Sequence, residues 1–176
     1  MDYRLPTLED KADLQDYLDE CSAIVEQSVM LHQDLFEEDY PAWVATIERY
    51  AREGNADWGR SLFLLCCDGG DDDGTDGELV GLLCIRYELT SELEAIYGHI
   101  GYSVRPSKRK RGYATQMLQH ALDVCRDLGL ESVTLGCYNA NVASAAVMKK
   151  CGGTLVAENE NYTEGQISQY YKIRLV

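Results

Sequence analysis

Between positions 105 and 115 the chain reads Arg-Pro-Ser-Lys-Arg-Lys-Arg-Gly-Tyr-Ala-Thr, with five basic residues in the first seven. Apolar residues then recur at Ala114, Met117, Leu118, Ala121, Leu122, Cys125 and Leu128, and Gly129 follows. That spacing predicts an amphipathic helix that begins just after Gly112. A helix start attracts anions, because its first N–H groups lack partners and its dipole is positive there. Gly112 lets a ligand approach the backbone, Ala114 adds little bulk, and Arg109, Lys110 and Arg111 add positive charge. Such a turn suits a pyrophosphate. It is no Walker loop, since no GxxxxGK[ST] occurs, and it lacks the spaced glycines of a dinucleotide fingerprint. A solvated basic face or a polybasic localisation patch remains the competing reading of the same run.

The elements that must hold this turn can be read around it. Thr7 and the acids after it suggest a helix start, and Leu14, Leu18, Cys21 and Val25 extend the pattern over about 8–27. Pro41 opens a second helix that Gly54 ends. Apolar runs predict strands over 58–67, 79–89 and 94–104, and further strands over 131–137, 154–158 and 166–175. Residues 141–151 form a short helix before Gly152-Gly153. Asp68 to Glu78 reads DGGDDDGTDGE, which we take as a mobile, acidic loop at about 68–78. Placing a calcium-loop glycine at Gly74 puts Gly69 and Val80 where carboxylates are required, so that pattern fails. The expected architecture is α/β, a mixed sheet flanked by helices in a single domain over 1–176.

Charge is divided unevenly. Residues 1–100 carry 24 acidic and 6 basic side chains, residues 101–176 carry 6 and 10, and the whole chain is −14. That total argues against general nucleic-acid binding while leaving room for a local anion site. The seven cysteines lack CxxC pairing and ligand spacing, so no metal is expected. With neither an apolar run of membrane length nor an apolar N-terminal stretch, the expectation is a cytoplasmic protein with reduced thiols and no membrane partner.

Arg109-x-x-Gly112-x-Ala114, after a strand ending Val104-x-Pro106, resembles the acyl-CoA-binding motif of the GNAT family of N-acetyltransferases. Asn141-x-x-Ser144, with Gly152 eleven residues after the Asn, resembles the family's second signature. Residues 98–115 are similar to a bacterial subgroup of predicted acetyltransferases. The resemblance covers about 58–175 well and the first helices loosely. It implies a mostly antiparallel sheet with a splay between the fourth and fifth strands. It also implies transfer of acetyl from acetyl-CoA to a primary amine of a small molecule or peptide. The strand end at Tyr102 and Val104 would bond the pantetheine arm. Arg109, Lys110, Arg111, Gly112, Tyr113, Ala114 and Thr115 would hold the pyrophosphate, and Asn141 and Ser144 would contact the coenzyme arm. Proteins of this kind are often dimers, so a homodimer is an open expectation.

Direct transfer needs a base for the ammonium, donors for the oxyanion and an exit for the thiolate. The family's usual acid, a Tyr seven residues after the Asn, is Met148 here. Tyr138 is the leading substitute and Tyr102 the other. Where some members carry a strand Glu this chain has Gly98, so the adjacent His99 is the first candidate base, with Glu94 and Glu88 behind it. The missing Tyr also admits a catalytically weak acyl-CoA-binding or sensing module. The acidic first half suggests that the amine is cationic.

Overall fold

The computed structural model describes residues 1–23, 30–55, 59–69, 77–90, 94, 98–160 and 165–176. The strands are β1 (Asp2–Arg4), β2 (Ser61–Asp68), β3 (Glu78–Arg86), β4 (Ile100–Val104), β5 (Ser132–Tyr138), β6 (Thr154–Asn159) and β7 (Ser168–Arg174). The helices are α1 (Lys11–Ala23), α2 (Gln33–Glu38), α3 (Tyr40–Arg52), α4 (Tyr113–Asp127) and α5 (Val142–Lys150). Short 3-10 turns at Leu8–Asp10 and Pro106–Lys108 precede α1 and follow β4.

Two antiparallel sheets form, in the orders β1-β2-β3-β4 and β5-β7-β6. They meet at one isolated bridge, Gly98 opposite Leu135, beyond which β4 and β5 share no ladder. The expected splay between the fourth and fifth strands is therefore present. Beside the bridge, the His99 N–H donates to the Thr134 carbonyl at 2.7 Å. A Cβ on Gly98, whose φ is +67°, would lie 2.5 Å from that same carbonyl oxygen. Only glycine permits both the turn and this close approach.

The first sheet is covered on both faces, which is why β2 and β3 read as nearly continuous apolar runs. Along β2 the two-residue period sends Leu64 and Cys66 to one cluster with α4 and α5. Phe63, Leu65 and Cys67 go to a second cluster with α1, α2 and α3. Trp43 anchors the second cluster. It is fully buried, meets Phe36 and Phe63 edge-on, and donates its indole N–H to Leu31 at 2.7 Å. Trp43→Ala is expected to cost about 3–5 kcal/mol, read as a lowered denaturant midpoint with an unchanged slope.

Several sequence expectations need correction. The first helix is split, since Leu8–Asp10 is a 3-10 turn capped by Thr7 and α1 ends at Ala23. The remainder of that expected helix, 24–27, lies outside the described residues. The family order implies an opening strand, which no local pattern located and which is β1; α2 was not expected. The expected strand over 94–104 begins only at Ile100, because Glu94 lies in a helical turn. Its N–H donates to Thr90 and its carbonyl accepts from Gly98. A strand cannot make those i to i+4 bonds. The acidic loop is shorter than expected, since Asp68 and Glu78 are strand residues, and 70–76 lie outside the described residues.

Candidate active site

The turn before α4 has the expected form. Lys110 and Gly112 take positive φ, +61° and +90°, and no side chain among the described residues caps the helix. The first intrahelical bonds come from Thr115 and Gln116 N–H to the Gly112 carbonyl. The backbone N–H groups ahead of them, at Tyr113 and Ala114, therefore point out of the helix start. Gly112 is exposed, and a Cβ there would meet nothing nearer than the Gln116 amide at 3.9 Å. The concavity is open for an anion.

The basic cluster is less free than its composition implies. Arg105 is buried, with Nη1 2.8 Å from Asp16, Nε 3.7 Å from Glu20, and its guanidinium over the Tyr17 ring. Glu20 also accepts the Ser107 N–H at 2.5 Å, so the acidic face of α1 clamps the 3-10 turn. Lys108 pairs with Glu78 at 2.5 Å, and Arg109 Nε donates to the Val104 carbonyl at 3.2 Å. The Tyr113 hydroxyl donates to Asp68, and that contact raises its pKa above the ordinary tyrosine value. Lys110 and Arg111 are the exposed cations of the run. Much of the positive charge thus fixes the shape of the turn.

The pairing of β4 with β3 decides which of its backbone groups face the gap. Arg105 N–H bonds to Val80 and Arg86 N–H bonds to the His99 carbonyl. With this register Gly101 and Ser103 form the hydrogen-bonded pairs with β3, and the His99 carbonyl and Arg105 N–H continue the ladder at its two ends. The N–H and C=O groups of Ile100 and Tyr102 and the Val104 N–H are left on the side toward β5, while the Val104 carbonyl already accepts from Arg109. This is the open backbone edge that an amide-bearing arm can pair with.

Side chains cross the gap on one face. The Tyr102 hydroxyl is 2.9 Å from Ser144 Oγ. Asn141 caps α5, its Oδ1 accepting the Ser144 N–H at 3.1 Å, and so fixes Ser144 at the first turn. Cys137 is half-buried against the same core cluster, with its thiol pushed up by burial and lowered by a hydrogen bond with Ser144. Met148 is 1 % exposed and belongs to that core, so the family's usual acid position is filled by packing. Tyr138 ends β5 opposite Ser168, and the strand period turns its side chain to the face opposite Cys137.

Where the two sheets meet, Thr134 holds two candidate bases at once. Its Oγ1 donates to Glu94 Oε1 at 2.7 Å and its N–H donates to His99 Nδ1 at 3.1 Å. Glu94 Oε1 is 3.9 Å from the same His99 nitrogen, and the carboxylate side chain is 36 % exposed. Nδ1 accepts a bond, so the neutral ring carries its proton on Nε2 and offers no lone pair for a second proton. Glu88 pairs instead with Arg60 at 2.6 Å, which lowers its pKa and occupies its carboxylate.

Burial lowers the His99 pKa below its usual value, with Glu94 pulling the other way. The unfolded chain then binds the proton more readily, so this contribution to stability is intact above about pH 6.5 and is lost as pH falls toward the folded value. His99→Asn, which keeps an acceptor for Thr134, is expected to flatten the loss of stability between pH 6.5 and 5.5. The flattening should reach at most about 1.4 kcal/mol per pH unit, read from melts of both proteins across that range.

The model of the acetyltransferase (GNAT) family matches residues 30–153, spanning the turn, the gap and the Asn141–Ser144 cap. The chain belongs to the GNAT family. Comparison with the curated proteins returns no match. Among solved structures, RimJ of Mycobacterium smegmatis in complex with a CoA-disulfide is similar at TM-score 0.73 and 21% identity. That match covers 98% of this chain and 80% of RimJ. RimL, a ribosomal L7/L12 alpha-N-protein acetyltransferase with coenzyme A disulfide-bonded to a cysteine, is similar at 0.72 and 18%, covering 98% and 92%. The yncA acetyltransferase of Salmonella typhimurium with acetyl-CoA is similar at 0.62 and 13%, covering 99% and 94%. Family membership makes the chain an acetyltransferase, and the yncA and microcin C7 self immunity acetyltransferases both have acetyl-CoA bound. No group of three or more His, Cys, Asp or Glu side chains among the described residues forms a metal cluster.

Sequence reasoning grouped Tyr102, Val104, Gly112, Asn141 and Ser144; the structure joins Tyr102 to Ser144 and has Asn141 cap the helix that carries Ser144. The same reasoning missed Thr134, whose single signal is a hydroxyl inside an apolar strand. It also missed the use of α1 acids to hold the basic turn, because Asp16 and Glu20 lie more than eighty residues from Arg105 and Ser107.

Proposed function

We propose that this GNAT enzyme transfers acetyl directly from acetyl-CoA to a primary amine of a small molecule or peptide. The observation that carries the reading is the open β4 edge at Tyr102 and Val104, which leads straight into the uncapped start of α4. Exposed N–H groups at Tyr113 and Ala114, flanked by Arg109, Lys110 and Arg111, suit the pyrophosphate. Gly112 leaves room for it, and Thr115 begins the helix behind it. Asn141 acts through its cap, placing Ser144 beside the arm.

Glu94 takes the base's part in this reading. Its carboxylate is half-open to solvent at the closed end of the gap, and Thr134 holds it from behind. It removes a proton from the ammonium directly or through one water, so that the amine lone pair can attack the thioester carbon. His99, first in line from sequence, serves in this reading as the brace that locks β4 to β5 through Thr134. Tyr138 lies on the strand face of Thr134, where it can line the amine's approach.

The acidic excess of residues 1–100 is the ground for trying cationic amines, and peptide amino termini belong among the acceptors to try. Cytoplasmic residence fits the free thiols, since no cysteine among the described residues is in a disulfide. No helix among the described residues is long and apolar enough to cross a membrane. The test is to incubate the protein with acetyl-CoA and a panel of amines, including polyamines and peptides, and to follow free thiol. Amine-dependent thiol release supports transfer. Acetyl-CoA binding without release for any amine would favour the acyl-CoA-binding module instead, and equal turnover of cationic and neutral amines at all ionic strengths would remove the charge preference.

A further inference from the structure

The departing sulfur needs something to receive its charge, and the family's usual tyrosine position is closed by Met148. A second hydroxyl source stands on the opposite wall. Tyr102 Oη lies 2.9 Å from Ser144 Oγ and 3.4 Å from the Ser144 carbonyl, joining β4 to α5 across the gap. Two features place this pair beside the thioester, given the acetyl-CoA site described above. Tyr102 is itself one of the residues whose backbone faces the gap, so an arm paired to that backbone passes its side chain. The half-buried Cys137 of β5 packs against the same core cluster as Tyr102, so both walls of the gap meet on this face.

We propose that the Tyr102 and Ser144 hydroxyls form the donor pair that receives the coenzyme A thiolate as it leaves. The amine nitrogen bonds to the thioester carbon, and the carbonyl electrons move to oxygen. When that intermediate collapses, the C–S bond breaks and its electron pair goes to sulfur. Tyr102 O–H donates a hydrogen bond to the sulfur as negative charge gathers there, while Ser144 holds the phenol oxygen in place. The thiolate departs and takes its proton from solvent. The ammonium gives one proton to Glu94, and from there to solvent, before the attack; the nitrogen gives its second proton to solvent as the intermediate collapses, so charge and atoms balance. Burial pushes the Tyr102 hydroxyl up to about 12, which keeps it protonated and makes it a donor rather than an acid that gives its proton away.

The experiment compares wild type with Tyr102→Phe and Ser144→Ala, using acetyl-CoA and acetyl-seleno-CoA with the best amine. Selenolate leaves with less help, so it separates stabilisation of the leaving group from packing. Tyr102→Phe is expected to lower kcat with acetyl-CoA by about 10²-fold, as removal of one preorganised donor does. KM for acetyl-CoA should change less than about threefold, and the deficit should shrink at least about tenfold with the selenoester. Ser144→Ala should show the same pattern at smaller size. An equal deficit with both donors, or a rise in KM with kcat unchanged, would overturn the assignment and leave the transferase reading intact. Absence of amine-dependent release by wild type would instead overturn the transferase reading on which this rests.

Discussion

Gly112→Asp is expected to weaken acetyl-CoA binding by about 10²-fold or more, whereas Gly112→Asn weakens it only slightly. Both side chains tolerate positive φ better than most, so both variants carry the same modest backbone cost at φ +90°. Both have the same size, and each Cβ enters open space. They differ by one charge. A carboxylate about 5 Å from a phosphate charge, at an effective dielectric near 20, costs about 3 kcal/mol, and every 1.4 kcal/mol is tenfold in affinity. Titration calorimetry at two salt concentrations would check this, with the gap between Asp and Asn narrowing at high salt. Equal affinity for the two variants would move the phosphates away from α4.

Glu94→Gln is expected to lower kcat by about 10²–10⁴-fold near neutral pH, with acetyl-CoA affinity unchanged. Gln keeps an oxygen for the Thr134 hydroxyl, so the bridge between the sheets survives and the loss reports proton transfer. The distinguishing sign is recovery with pH. Once the amine is already neutral in solution no base is required, so the deficit should shrink as pH rises through the amine's own pKa. A stopped assay of thiol release across pH 7–10 would show it. A constant deficit across that range would assign Glu94 to structure, and an unchanged kcat would send the base elsewhere. His99→Asn gives the contrast, because a brace should register mainly in stability.

The parts of this molecule legible in sequence are those where a local period reports a local fact. α4 follows from its helical spacing, and its boundaries shift by one residue. β2 and β3 follow from their apolar runs, since burial on both faces removes the alternation that would otherwise mark a strand. The anion turn follows because Gly112 and the helix after it are contiguous. By contrast, β1 is three residues long and exists only because β2 lies beside it. α2 spans six residues, too few for a period to register. Glu94 read as strand because the apolar letters around it suit either state, and the helical turn is decided by Gly98 at positive φ fitting against Thr134. The Tyr102–Ser144 pair joins residues 42 apart, and no spacing rule reaches across a crossover connection. His99 was chosen for its intrinsic basicity, but only the three-dimensional partner reveals that its lone pair is already engaged.

The alternation of β4 has a wider meaning for how such a site is encoded. Its binding edge consists of peptide groups, which every residue type but proline supplies in full. On the proposed function, affinity for the coenzyme arm is written into the path of the chain, and the side chains along the strand are released for other tasks. Ser103 uses that freedom to bond the buried Tyr17 of α1 at 2.7 Å, Val104 to fill the core beneath α4, and Tyr102 to reach Ser144. The strand can diversify its chemistry toward the acceptor without renegotiating its hold on the donor.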